Sequence, residues 1–367
     1  MNLTLLIKLQ PNPDQAKALL HTMEQFNAAC DTIAVTAFRA HTANKFRLQK
    51  LVYADIRATF GLSAQMTVRA ISKVAEAYKR DKSIQPTFRP HGAIVYDPRI
   101  LSWKGLDRVS ILTLDGRHII PVVLDGYHRA RMDRIRGQAD LIYRDGTFYL
   151  AVVVEVPEPP PLQPDDWLGV DLGIVNVAAD SDGQTYSGGQ VNGLRKRHAK
   201  LRQRLQKKGT PSAKRLLKKR RRKEQRFATN ENHRIAKQMV THAQDTRRGI
   251  ALEDLQGIRD RITVRRAQRR RHHSWAFAQL RTFIEYKAKL AGVPVVLVDP
   301  RNTSRTCPQC GLIDKRNRPN QASFRCIGCG FAGPADTIAA GNIARRAVVN
   351  WPDAGSASPQ APASSAL

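Results

Sequence analysis

The sequence predicts a multidomain α/β protein, and three observations carry that prediction. Apolar residues recur at helical spacing over residues 13–83, period-two alternation takes over from residue 84, and strands alternate with helices after a proline-rich stretch. The chain has 367 residues with 42% hydrophobic content, enough for two or three cores.

Residues 3–9 read as a short strand ended by Pro11 and Pro13. Asp14 then caps a helix whose apolar positions Leu19, Met23, Phe26, Cys30, Ile33 and Ala37 alternate steps of four and three. Residues 45–60 and 63–80 continue helically, the second with Met66, Ile71, Val74 and Tyr78 as its stripe, so this region is a helical bundle. Strands follow at 87–95, 109–114, 118–124, 139–144 and 147–156, with Asp115-Gly116 and Asp145-Gly146 as hairpin turns. They predict a small antiparallel β-barrel, joined by the N-terminal strand, with the helices as an insertion. Residues 158–166 form a stiff proline-rich linker.

Beyond the linker, residues 168–171 read as a buried strand ending in Asp-Leu-Gly, followed by strands at 174–179 and 185–187. Residues 190–226 are a basic helix pair broken at Gly209-Thr210-Pro211, and 232–246 continue helically. Residues 249–255 are another buried strand ending in acids. A helix over 275–290 and a strand over 294–298 lead into the next motif. Residues 335–347 close the pattern as an Ala-rich helix, and the Ala/Ser/Pro-rich tail is expected to be disordered.

That motif holds Cys307-Pro-Gln-Cys310 and, fifteen residues on, Cys326-Ile-Gly-Cys329. Two such pairs close two knuckles and complete a tetrahedron around zinc, with Gly311 and Gly330 where each knuckle turns. Two disulfides would be the alternative. The N-terminus lacks a signal-peptide pattern, however, and the fifth cysteine, Cys30, lies in an apolar helix, which predicts a reduced intracellular protein. With four thiolates as ligands the zinc is structural, so the chemistry must lie elsewhere.

The β-β-β-α…β-α-β…α order suggests an RNase H-like fold. Its first strand brings Asp171 to the centre of the sheet, the 249–255 strand sets Glu253 beside it, and Asp336 at the start of the last helix can point into the same cleft. Singly these are a turn former, a strand-end acid and a helix cap. Together they offer the hard oxygen ligands that two Mg²⁺ ions need for in-line phosphodiester cleavage. Asp180, Asp182 and Asp254 read as turn or surface acids. His198, His233, His272 and His273 are scattered, and no GxSxG, HExxH or Walker loop competes.

The formal net charge is +30, from 61 Lys and Arg against 31 Asp and Glu. Residues 195–226 alone carry 17 basic residues and one acid, Glu224, and 259–271 carry seven arginines against Asp260. Stripes this dense fit a polyanion lying along the protein. They lack the apolar face of a membrane-surface helix, and no apolar run reaches ~18 residues, so nucleic acid is the expected partner and a membrane is not. The candidate contacts are Arg195, Lys196, Arg197, Lys218, Lys219, Arg220, Arg221, Arg222, Lys223, Arg265, Arg266, Arg269 and Arg270.

The segments GVDLGIVN, IALEDLQG, NTSRTCPQCG…CIGCG and ADTIAAGNI resemble, in that order, the motifs of the TnpB family. These are RNA-guided RuvC-like nucleases of bacterial insertion sequences, related to type V CRISPR effectors. The resemblance is strong over residues 167–347 and only a matter of layout before it. It implies a RuvC-like nuclease domain at 167–350 with a zinc ribbon at 303–331. It also implies a wedge-like barrel at 1–12 and 84–157, a helical recognition lobe at 13–83, and a tail at 352–367. Asp171, Glu253 and Asp336 would be the catalytic triad holding two Mg²⁺ or Mn²⁺ ions, and Cys307, Cys310, Cys326 and Cys329 would hold one Zn²⁺. A guide RNA and a double-stranded DNA target would be the partners, in a cytoplasmic, nucleoid-associated setting. Ile338 departs from the family, which often has Asn there. A compact type V effector and a non-cleaving RNA-guided repressor are the alternatives. An actin-like kinase is a third, and it would need glycine-rich nucleotide loops that are absent.

Overall fold

The computed structural model describes residues 1–173, 176–255 and 277–350. The chain divides into two compact units, Met1–Pro157 and Glu158–Leu367.

In the first unit, β1 (Asn2–Leu9) leads into α1 (Pro13–Arg39), α2 (Lys45–Phe60) and α3 (Ala64–Arg80). The cap of α1 is Asn12, not Asp14. The Asn12 side chain accepts from Gln15 N at 2.8 Å while Gln15 Oε1 accepts from Asn12 N at 3.1 Å. That is a capping box with Pro13 at the first helical position, and Asp14 sits within the first turn. The apolar stripe of α1, from Leu19 to Ala37, is fully buried.

Six further strands follow: β2 (Ile94–Tyr96), β3 (Leu101–Lys104), β4 (Arg108–Thr113), β5 (Gly116–Val123), β6 (Ile135–Arg144) and β7 (Thr147–Glu155), with a one-turn helix α4 (Gly126–Arg129) after β5. With β1 they form an antiparallel sheet in the order β2-β6-β7-β1-β5-β4-β3. Its two edges, β2 and β3, are joined by residues 97–100 alone, and Tyr96 Oη donates to Leu112 O in β4 at 3.0 Å. The sheet is therefore nearly closed. The strand expected at 87–95 shrinks to β2. Pro86 and Pro90 cannot donate to a ladder, and α1 holds the segment instead: Asp31 Oδ1 accepts from Phe88 N at 2.8 Å and Asn27 Nδ2 donates to Gly92 O at 3.0 Å.

In the second unit, β8 (Asp166–Asp171), β9 (Asn176–Asp180) and β10 (Thr185–Ser187) form an antiparallel meander. The helices α5 (Gly189–Lys208) and α6 (Pro211–Asp245) follow. Then come β11 (Arg248–Glu253), α7 (Phe277–Ala291), β12 (Val295–Val298), the ribbon hairpin β13 (Ser323–Arg325) and β14 (Ala332–Pro334), and α8 (Ala335–Asn350). The sheet order is β10-β9-β8-β11-β12, with β8, β11 and β12 parallel.

Helices cover both faces of this sheet, so β8 and β11 are apolar throughout their middles. Leu168, Val170, Ile250 and Leu252 face α6 and α7, packing on Met239, Val240, Leu280 and Ile284. Trp167 and Ala251 face α8 and pack on Ile343 and Ala347. Gly169 is where α8 crosses β8: a Cβ there would stand 1.9 Å from Ala340 O and 2.6 Å from Ala344 N, both backbone atoms. Gly249 likewise makes room for the Trp167 ring on the neighbouring strand.

Asp180 is fully buried rather than at the surface, its Oδ1 accepting from Gln184 N at 2.9 Å within the β9–β10 turn. Asp182 ties that turn to the rest of the unit, accepting from Arg248 Nη1 at 2.8 Å and pairing with His242 Nε2 at 2.7 Å. The Arg248 guanidinium, then His242, hold the Asp182 carboxyl well below the usual carboxylate range. A depressed folded-state pKa adds stability above about pH 4 that is lost as pH falls toward the folded value. Asp182→Asn should therefore destabilise the protein near neutrality by about 1 kcal/mol for a pair this exposed, read as a lower thermal midpoint. Its gap from the parent should narrow as melts are repeated below about pH 4. A gap that stays constant across that range would remove the ion pair as the cause.

Candidate active site and metal centre

Side chains alternate along a strand, so Trp167, Gly169 and Asp171 share one face of β8, and Gly249, Ala251 and Glu253 share the same face of β11. The two strands are parallel and in register, Leu252 opposite Val170, so the two carboxylates emerge side by side at their C-terminal ends, on the side covered by α8. Asp336 is the second residue of α8 and sits in its first turn. Burial first, then the Glu253 and Asp336 charges, push the Asp171 carboxyl up to about 7, with Arg318 pulling against them. Burial also raises Glu253, opposed chiefly by the Thr303 hydroxyl. Asp171 thus lies within electrostatic reach of both Glu253 and Asp336.

Four residues that were not singled out from the sequence surround them. Asn176 Nδ2 donates to Asp336 Oδ2 at 3.0 Å and Arg318 Nη2 to Asp336 Oδ1 at 3.3 Å, so this carboxylate is oriented by side chains 160 and 18 positions away. Thr303 Oγ1 donates to Glu253 Oε1 at 2.5 Å. Asn342 Nδ2 donates to Thr303 O and Thr306 O, both at 2.8 Å. No periodicity marks such partners. The only sequence signal was that Asn176, Thr303 and Asn342 lie inside the quoted motifs. Asp254, next to Glu253, points elsewhere and pairs with Arg281 Nη1 at 2.9 Å.

Half-buried carboxylates whose charges reach Asp171 are hard oxygen donors that fit a divalent cation, which would supply positive charge among them. Among the described residues, the group of metal-ligand atoms lying within 4.8 Å of one another is Cys307, Cys310, Cys326 and Cys329. Cys307 Sγ and Cys329 Sγ are 3.6 Å apart, and Cys310 Sγ and Cys326 Sγ 3.5 Å. Tetrahedral Zn–S bonds of about 2.3 Å require sulfurs about 3.8 Å apart, so the four thiols could hold one zinc ion. The backbone N–H groups of Cys329 and Gly328 hold the Cys326 thiol down to about 6, favouring a thiolate ligand. Gly311 and Gly330 take φ of +74° and +78° just past each knuckle. Ile338 of α8 packs with Cys307, Phe324 and Cys326, so this residue helps seat the ribbon on the helix.

Arg195, Lys196 and Arg197 lie on α5, and Lys218, Lys219, Arg220, Arg221, Arg222 and Lys223 on α6. Lys196, Arg197, Lys218, Lys219 and Lys223 are exposed, while Arg195 and Arg220 are half-buried. Glu224 is taken up within the pair of helices, accepting from Arg202 Nη2 at 2.9 Å and lying 3.7 Å from His198 Nδ1. Arg265, Arg266, Arg269 and Arg270, with His272 and His273, fall outside the described residues. Among the described residues no helix is long and apolar enough to cross a membrane.

Comparison with known proteins fits this arrangement. Residues 151–257 match the family described as probable transposase (OrfB of IS605), and residues 277–343 match the Cas12f1-like TNB domain. The chain is 42% identical over 119 residues to the CRISPR-associated endodeoxyribonuclease Cas12f1 of Sulfoacidibacillus thermotolerans, covering 32% of this chain and 27% of that protein. It is 34% identical over 125 residues to a TnpB-like protein of Methanocaldococcus jannaschii, covering 34% of this chain and 44% of that one. Each alignment therefore spans less than half of the relative's length. A cryo-EM structure of a Cas12f1–sgRNA–target DNA complex has a protein of the same fold, with a TM-score of 0.60 at 17% identity over 89% of this chain and 82% of that one. Residues 151–257 and 277–343 thus carry the chain's likeness to the TnpB-like proteins and the Cas12f endodeoxyribonucleases.

Proposed function

We propose that this protein is an RNA-guided DNA endonuclease of the insertion-sequence kind, with Asp171, Glu253 and Asp336 as its catalytic acids. What supports the reading is the register that sets Asp171 and Glu253 at adjacent strand ends, with the Asp336 charge acting on Asp171, all inside segments that match the two family models. The 3-2-1-4-5 order of the β8–β12 sheet supports an RNase H-like, RuvC-type domain over residues 167–350. The ribbon would span 303–331 within it. The nearly closed sheet (1–12 and 84–157) would be its wedge-like barrel and the helices at 13–83 its recognition lobe. The compact type V effector is a second reading, favoured by the match of residues 277–343 to the Cas12f1-like domain.

Two Mg²⁺ or Mn²⁺ ions, when bound, would activate a water and stabilise the leaving 3′-oxygen. The chain's own residues set the rest. Asp171, Glu253 and Asp336 would hold the ions, with Thr303 hydrogen-bonded to Glu253 and Asn176 and Arg318 to Asp336. The exposed cations of α5 and α6 would bind backbone phosphates of guide RNA or target DNA. A cytoplasmic, nucleoid-associated setting follows from these partners.

Asp171→Asn, Glu253→Gln and Asp336→Asn each keep the side-chain shape but weaken the ligand. Cleavage of a guide-matched plasmid should fall by about 10²-fold or more, with guide and target binding retained in the same preparation. An Asp336→Asn protein that cuts like the parent would leave that acid as part of a helix's first turn only. Loss of binding together with cutting in all three would make the acids structural.

Neutralising Lys218, Lys219, Arg220 and Lys223 to Gln should weaken RNA binding and lower the slope of log K against log salt by roughly 3 if all four meet phosphates. An unchanged slope would assign them to a solvated helix face. Purified protein should carry one zinc per chain by elemental analysis, and Cys326→Ser should lose it and unfold the ribbon at lower temperature. A folded, reduced protein without zinc would remove the metal from the ribbon.

A further inference from the structure

The strap from β12 to the first zinc knuckle, residues 299–307, is tied down at more points than a connector requires. Asn342 of α8 is 5% exposed and directs its amide nitrogen at this strap, onto Thr303 O and Thr306 O. Thr306 immediately precedes Cys307, whose N–H closes the knuckle onto Leu312 O at 3.0 Å. Asn302 takes φ +63°, and its carbonyl accepts from Arg305 N and Thr306 N, each at 3.0 Å, and from Thr306 Oγ1 at 2.8 Å. The strap is thus turned back on itself directly before the ribbon. The turn leaves Thr303, only 3% exposed, facing β11, with its hydroxyl 2.5 Å from Glu253 Oε1.

We infer that Thr303 and Asn342 are positioning residues, which make the folded zinc ribbon a condition for placing the Glu253 carboxylate. This rests on the reading of Asp171, Glu253 and Asp336 as a divalent-ion site. Glu253 ends its strand, and the hydroxyl of Thr303 fixes which of its oxygens is turned away from the ions. Thr303 is held by Asn342, and Asn342 by its place on α8, the helix that also carries Asp336 and Ile338. A ribbon that loses its metal would release Thr306 and Cys307, then Thr303, and Glu253 would lose its orientation. The two metal centres would be linked through a short stretch, residues 303–307.

The test is Mn²⁺ binding by the zinc-loaded full-length protein, followed by electron paramagnetic resonance, beside plasmid cleavage at a range of Mg²⁺ concentrations. Thr303→Val removes the hydroxyl at equal volume. It should keep one zinc and a parent-like thermal midpoint, yet weaken Mn²⁺ binding about 10-fold or more, as the loss of an orienting partner to a metal ligand does. Thr303→Ser restores the hydroxyl and should return Mn²⁺ affinity to within about twofold of the parent. Asn342→Ala should weaken binding in the same direction, and the double variant should be less than additive, because both act through one contact. Parent-like Mn²⁺ affinity in Thr303→Val overturns the inference. So does a Thr303→Ser protein as weak as the valine variant, or full additivity in the double variant. Should Thr303→Val fail to fold, parent-like Mn²⁺ affinity in Asn342→Ala overturns it instead. Asp171→Asn separates the two levels: if it binds Mn²⁺ like the parent, the carboxylate site itself fails, and the positioning role with it. If it alone loses Mn²⁺, the site stands and only the positioning role falls.

Discussion

The close crossing of α8 over β8 at Gly169 is the contact on which the second unit's chemistry depends. Backbone meets backbone there, and any side chain at 169 would hold the helix away from the strand. The same face of β8 that must be flat at Gly169 carries Trp167 on one side and Asp171 on the other. Trp167 lies across Gly249 of the neighbouring strand, and Ile343 and Ala347 seal the ring from above. This packing sets how α8 carries Asp336 over the end of β8 that bears Asp171. Like charges within electrostatic reach, and partly removed from water, oppose folding. The apolar clusters on both faces of the sheet offset them, at roughly 1.5–3 kcal/mol for each buried Val, Leu or Ile.

The ribbon rests on the same helix. Ile338, two residues past Asp336 on α8, is buried against Cys307, Phe324 and Cys326, and Asn342, one turn further, clamps the strap. A helix repeats every 3.6 residues, so positions 335, 338, 339 and 342 share a side. One stripe of α8 therefore carries the ribbon contacts while Gly169 receives the stripe around Ala340. An apolar residue at 338 suits this seat, and the polar work of holding the strap falls to Asn342.

The sequence made some of this legible and hid the rest for physical reasons. The two CxxC pairs carry their geometry in their spacing, because a knuckle is local. Strand parity is local too: in Ala-Leu-Glu-Asp-Leu, the acid two residues after Ala251 faces α8 and the next one, Asp254, faces Arg281. The partners of the acids are not local. Asn176 and Asp336 lie 160 residues apart, Thr303 and Glu253 fifty, and a hydrogen bond between distant polar side chains leaves no period to read. Errors at element ends have the same origin. Asn12-Pro13-Asp14-Gln15 contains both halves of a capping box, and the acid at 14 drew attention from the asparagine that closes it. The alternating pattern over 87–95 was real, yet Pro86 and Pro90 denied it a ladder, and contacts from α1 took its place.

One helix joins the basic surface to the core. α6 runs 35 residues, about 50 Å at 1.5 Å per residue. Its C-terminal half supplies Ile235, Ala236, Met239, Val240 and Ala243 to the core beneath β8 and β11. In its N-terminal half Ala213 is buried, and cations four residues apart, such as Lys219 and Lys223 or Lys214 and Lys218, repel one another along the same side. Such a segment gains little from its own packing. It stays helical because the core anchors one end, Thr210 caps the other, and the α5 seam supplies Arg202 and His198 to Glu224, the one acid among those cations. A polyanion lying along the cations would remove the repulsion that this helix carries when alone. Binding along the cations and helix stability would then be linked, because a ligand that favours the helical form stabilises it.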